Sequence, residues 1–165
     1  MHPTLLSSES AYGAPSSPHL PLLFIVEDDP SILAVYNRLL SLPRVRPHTR
    51  LVYNHPKPFF EKLQDLPHPQ DAFYIFDNNI VAEHDNPNNT LSERRSYFFE
   101  LAQTTEERGV PRDQIALVST DELPIVPGFA PSFLKLRKPF ELPEFISLVN
   151  GGLERVLQRR EQQAA

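Results

Sequence analysis

Phe73-Tyr74-Ile75-Phe76 carries four large apolar residues straight into Asp77-Asn78-Asn79. An apolar run this short predicts a strand covered on both faces, and such strands belong to parallel sheets flanked by helices. Open sheets of that kind bind ligands at the C-terminal ends of their strands. Asp77 stands at such an end. A lone acid there can equally be a helix cap or a plain loop residue, so its meaning depends on what other segments bring to the same edge.

Three further runs repeat the pattern. Leu22-Leu23-Phe24-Ile25-Val26 leads into Glu27-Asp28-Asp29-Pro30. Ile32, Leu33, Tyr36, Leu39 and Leu40 then recur at helical spacing, with Asp29 as cap and Pro30 at the first helical position. That leaves Glu27 and Asp28 at the strand edge. Ile115-Ala116-Leu117-Val118 ends in Ser119-Thr120-Asp121, and Phe133-Leu134-Lys135-Leu136-Arg137 ends in Lys138-Pro139-Phe140. Thr49 to Tyr53 reads as a weaker strand at the sheet edge. Phe59, Phe60 and Leu63 suggest a short helix after Pro58, and Ser92 to Arg108 reads as another, with Gly109 as terminator. Leu142, Phe145, Ile146, Val149, Leu153, Val156 and Leu157 mark a last amphipathic helix, which Gly151-Gly152 should weaken or kink. Arg155, Arg159 and Arg160 near its end suit the helix dipole and read as a solvated face. Strand and helix alternate throughout, which predicts an α/β domain with a parallel sheet and helices on both faces.

Residues 1–20 are rich in Ser, Pro and His without periodicity and are expected to form a disordered tail. The domain itself should span residues 21–160, leaving 161–165 as a C-terminal end. Residues 78–91 are polar and read as a long loop, in which His84 and Asp85 lack a partner at metal-ligand spacing. Pro124, Pro127 and Pro131 argue against a regular helix between the last two strands. The 165-residue chain has no cysteine, which excludes disulfides, thiol catalysis and Cys-based zinc sites. A net charge of -5 speaks against general nucleic-acid binding. With no signal peptide and no apolar run of membrane length, a cytoplasmic location is expected.

The strand ends thus supply Glu27, Asp28 and Asp77, a hydroxyl from Ser119 or Thr120, and the Lys138 amine. Like charges about 4 Å apart repel by about 4 kcal/mol at an effective dielectric near 20. Three carboxylates in one crevice therefore need cations or protons. Lys138 is one cation, and Mg²⁺ suits the oxygen donors. This set fits phosphoryl transfer to Asp77 as nucleophile, with Lys138 and Ser119 holding phosphoryl oxygens.

From Leu22 to Leu157 the sequence resembles the receiver domain of bacterial response regulators. The residues carrying the resemblance are Val26-Glu27-Asp28-Asp29-Pro30, Phe76-Asp77, Val118-Ser119 and Arg137-Lys138-Pro139-Phe140. It implies a flavodoxin-like, five-stranded sheet in the order 2-1-3-4-5, here with a degenerate fourth helix. It implies a stand-alone receiver that accepts a phosphoryl group on Asp77 from a histidine kinase or phosphotransfer protein and signals by protein–protein interaction. Mg²⁺ would be held by Glu27, Asp28, Asp77 and the backbone carbonyl of Asn79. Ser119 and Lys138 would sense the phosphoryl group, Asn79 and Asp121 would tune its loss, and the peptide before Pro139 is often cis. The resemblance also has departures. Lys135 replaces the aromatic switch residue often found three positions before the lysine, and the polar loop replaces the usual turn after the phosphorylated aspartate.

Two other readings compete. A pseudo-receiver would use the same fold as a phosphorylation-independent interaction module. A phosphohydrolase resembling the haloacid dehalogenases would need an acid/base carboxylate two residues after Asp77, where this chain has Asn79. At most, autophosphorylation and autodephosphorylation at Asp77 are expected, not metabolic turnover.

Overall fold

The computed structural model describes residues 19–77, 98–119 and 133–165. Its strands are β1 (Leu22–Val26), β2 (Thr49–Tyr53), β3 (Ala72–Asp77), β4 (Ile115–Ser119) and β5 (Leu134–Arg137). They form one parallel sheet in the order β2-β1-β3-β4-β5. This is the flavodoxin-like order expected above. The order reverses between β1 and β3, so the crevice of a doubly wound sheet opens between Glu27 and Asp77.

Four α-helices cover the sheet among the described residues: α1 (Pro30–Leu40), α2 (Pro56–Asp65), α3 (Phe98–Glu107) and α4 (Leu142–Ala164). Strand alternation sorts the core into two layers. Phe24, Val26, Tyr74, Phe76, Ile115 and Leu117 face α2 and α3. Leu23, Ile25, Phe73, Ile75, Ala116 and Val118 face α1 and α4. β3 is buried at all six positions, as its uninterrupted apolar run requires. β2, at one edge, is largely half-buried or exposed.

Local chemistry sets the helix limits. The Asp29 carboxylate accepts from the backbone N–H groups of Ser31 and Ile32 and caps α1, with Pro30 opening the helix. The short bond from the Ser31 hydroxyl is the main reason the Asp29 pKa is lowered. The second helix starts at Pro56, not after Pro58. Prolines at its first and third positions lack N–H groups that would have no intrahelical partner anyway, and His55 Nδ1 accepts from Lys57 N. Gly109, with φ at +85°, follows α3.

The last helix differs most from its expectation. Gly151 and Gly152 neither end nor divide it, and it runs unbroken to Ala164. A Cβ at Gly152 would lie 2.4 Å from carbons of the Phe73 ring, so this glycine lets α4 press onto β3. Arg159 and Arg160 are not a free solvated turn. Arg159 makes two bonds to the Asp113 carboxylate, at 2.8 and 2.9 Å, and Arg160 reaches the carbonyls of His19 and Asp71. The polar loop, including His84 and Asp85, the segment with Pro124, Pro127 and Pro131, and the N-terminal tail up to residue 18 lie outside the described residues.

Candidate phosphoryl-acceptor site

The ladder carries β1 one residue further, because Glu27 N donates to Tyr53 O at 3.0 Å. It does the same after β5, where Lys138 N donates to Ser119 O at 2.8 Å. Glu27, Asp77 and Lys138 therefore continue the strand positions that face α1 and α4, above Ile25, Ile75 and Leu136. Ser119 follows the other parity, with Leu117.

Lys138 Nζ lies 2.8 Å from Glu27 Oε2 and 3.0 Å from Asp77 Oδ1, so one ammonium bridges two acids. Both acid side chains are almost fully buried and that of Lys138 nearly so. The other Glu27 oxygen accepts from Asp29 N at 3.1 Å. Asp28, half-buried, completes a group in which one carboxylate oxygen each from Glu27, Asp28 and Asp77 lies within 4.8 Å of the others. These are hard oxygen donors at a spacing that a small divalent cation could bridge. The set fits such an ion and offers no soft ligand.

The electrostatics follow from two buried acids bridged by one ammonium. Burial raises the Glu27 pKa, the Asp77 charge adds to the rise, and Lys138 only partly offsets it. For Lys138, burial works against the charged form, but its bond to Glu27 and the charge of Asp77 outweigh it. The net direction is up, so Lys138 is a fixed cation. An ion that neutralises the remaining charge would relieve the repulsion that burial imposes.

No protein-family model matches the chain, and no curated protein does. Solved structures do. A response regulator receiver protein from Sinorhizobium medicae WSM419 superposes with a TM-score of 0.60 at 15% identity, over 85% of this chain and 99% of that one. The fold is that of a receiver domain. The signal receiver domain of an HD domain-containing protein from Pseudomonas fluorescens Pf-5 gives 0.57 at 18% identity, covering 85% and 99% of the two chains. That of a putative Luxo repressor protein from Vibrio parahaemolyticus gives 0.59 at 13%, covering 86% and 95%.

Within this receiver fold, Glu27, Asp28, Asp77 and Lys138 meet at the crevice, and the Ser119 backbone is tied to Lys138. Lys138–Pro139 is a cis peptide. Lys135 is exposed on β5. Asn79, Thr120 and Asp121 lie outside the described residues. One nearby group was missed from sequence. Tyr36 read as an apolar helix position, yet its hydroxyl lies in the electrostatic field of both Glu27 and Asp77.

Proposed function

We propose that this chain is a receiver that takes a phosphoryl group onto Asp77 from a histidine kinase or phosphotransfer protein and signals through protein–protein contact. The observation carrying this reading is the Lys138 ammonium held between Glu27 and Asp77 beside a third carboxylate at the C-terminal edge of the sheet. An Asp77 carboxylate oxygen attacks the donor's phosphorus, and an O–P bond forms while the donor's bond to phosphorus breaks. The electron pair of that bond leaves with the donor atom, an imidazole nitrogen for phosphohistidine or an acetate oxygen for acetyl phosphate. Lys138 holds one phosphoryl oxygen and the Ser119 hydroxyl another. Glu27, Asp28, Asp77 and the Asn79 carbonyl would hold Mg²⁺, which supplies charge neutralisation on the transferring group. Asn79 and Asp121 are assigned to tuning hydrolysis of the adduct.

Incubation with acetyl phosphate and Mg²⁺, followed by intact-mass measurement, tests this. Wild-type protein should gain one phosphoryl group, and Asp77→Asn or chelation of Mg²⁺ should abolish the gain. Wild-type protein without an adduct, or an adduct that survives Asp77→Asn, would sink the reading. The fold would then serve as a phosphorylation-independent interaction module.

A further inference from the structure

Tyr36 sits on the inner side of α1, only 1% exposed. Its ring stacks on Phe145 of α4 at 5.1 Å and on Phe140, two residues after Lys138, at 6.3 Å. Phe140 and Phe145 also stack on each other at 5.2 Å. Packing on these rings leaves the phenol little freedom. Its oxygen has no hydrogen-bond partner, and it is the one hydroxyl among the buried, unpartnered polar atoms of the described residues. A buried donor without an acceptor costs about 1–3 kcal/mol, so an apolar Phe would suit the resting fold better. The layer Tyr36 packs into is the one whose strand positions continue into Glu27, Asp77 and Lys138. Burial, and then the charges of Glu27 and Asp77, push the phenol pKa up. The group therefore keeps its proton and can act only as a neutral hydrogen-bonding group, never as a phenolate.

We infer that Tyr36 is a positioning residue for phosphoryl transfer: its hydroxyl, unpartnered at rest, donates to the Glu27 carboxylate as Lys138 is drawn toward the incoming phosphoryl oxygen. This rests on the phosphoacceptor reading of Asp77. At rest Lys138 shares its hydrogen bonds between Glu27 and Asp77. As the Asp77 oxygen forms its bond to phosphorus, the ammonium turns to the new anionic oxygens and its hold on Glu27 loosens. Mg²⁺ on Glu27 would meet part of its charge, but Oε2, the buried oxygen that Lys138 releases, needs another donor. Tyr36 supplies it without giving up a bond of its own. An interaction absent in the resting state and made in the transition state raises the rate, where one made equally in both would not. No proton is transferred in this step; the phenol O–H stays intact.

The test uses full-length protein and Tyr36→Phe. Adduct formation from acetyl phosphate with Mg²⁺ is followed by intact mass, adduct loss after donor removal in the same way, and resting stability by urea unfolding. The chain has 5 Tyr and no Trp, so its near-ultraviolet absorption reports mainly on phenols. Tyr36→Phe should slow uptake about five- to tenfold, the rate equivalent of one hydrogen bond. The unfolding midpoint should hold or rise, and adduct loss should keep its wild-type rate. Wild-type protein should show a red-shifted tyrosine difference band on phosphorylation that the variant lacks. Equal uptake rates and equal difference bands, with both proteins phosphorylated, overturn this inference alone. A clearly lower unfolding midpoint for Tyr36→Phe also overturns it, since the hydroxyl would then be bonded at rest. Wild-type protein that takes no adduct removes the Asp77 reading and this inference with it.

Discussion

The two ends of the sheet handle charge in opposite ways. At the C-terminal ends of the strands, the Lys138 ammonium bridges the buried Glu27 and Asp77, with the half-buried Asp28 beside them. At the N-terminal ends, Arg159 pairs with Asp113 and Arg160 with Asp71, both half in solvent. Arg108 there spans the carbonyls of Gln64 and Leu66, and the Gln114 amide binds those of Gln70 and Ala72. The second end sets its charges against one another, although Gln114 Oε1 and Arg159 Nε are buried without a hydrogen-bond partner. The first brings three carboxylates together where water is scarce. Such clusters of buried charge recur where a ligand or a chemical change is met, and the proposed phosphoryl-acceptor site lies at the first end.

The strongest way to break this contrast is to remove the ammonium. Lys138→Met takes from the buried Glu27 and Asp77 the ammonium that bridges them, and losing one partner of such a pair costs about 3–5 kcal/mol. Urea unfolding at neutral pH in the presence of chelator should show a loss of that size. Lowering the pH should recover part of it as the acids protonate. A variant as stable as wild type at neutral pH would mean that the acids are better hydrated than their burial implies.

A smaller effect sharpens the electrostatic side. The folded-state pKa of Glu27 lies above its ordinary value of 4.5, mainly through burial and then the charge of Asp77. A raised carboxyl pKa stabilises the fold fully below that ordinary value, and the contribution is lost as pH rises through the folded-state pKa. Glu27→Gln cannot titrate. Without metal, its stability relative to wild type should therefore climb between about pH 4.5 and neutrality. Urea midpoints across that range measure it, and a difference independent of pH would refute the assignment. Lys138, with a raised pKa, contributes its part at every pH below 10.5 and adds no slope in this window.

The carboxylate end was legible in sequence because each strand announces itself. Five apolar residues before Glu27 and four before Asp77 can only be strands covered on both faces, and chain order places their ends at one crevice. Other features depend on residues far apart in sequence. Tyr36 matches the apolar period of α1, and nothing local shows that its hydroxyl is buried without a partner or that Phe140 and Phe145 stack on its ring. Gly152 reads as a helix weakness until the Phe73 ring is seen beneath it. Arg159 and Arg160 read as dipole partners because Asp113 and Asp71 lie on other elements.

Those arginines give the gentlest test, and the one that most directly separates the two ends. Arg159 binds Asp113 through two short contacts, but the side chains are 38% and 45% exposed. Solvent screens such a pair, and ordering two long side chains offsets part of its attraction, so Arg159→Ala should cost less than about 1 kcal/mol. The loss should shrink further in high salt, where exposed ion pairs are screened. Phosphoryl uptake from acetyl phosphate should be unchanged, because the substitution lies at the opposite end of the strands from Asp77. A cost approaching that of Lys138→Met would show that the N-terminal end is also electrostatically strained. An altered uptake rate would show that α4, which carries Phe145 as well as Arg159, transmits changes from one end of the sheet to the other.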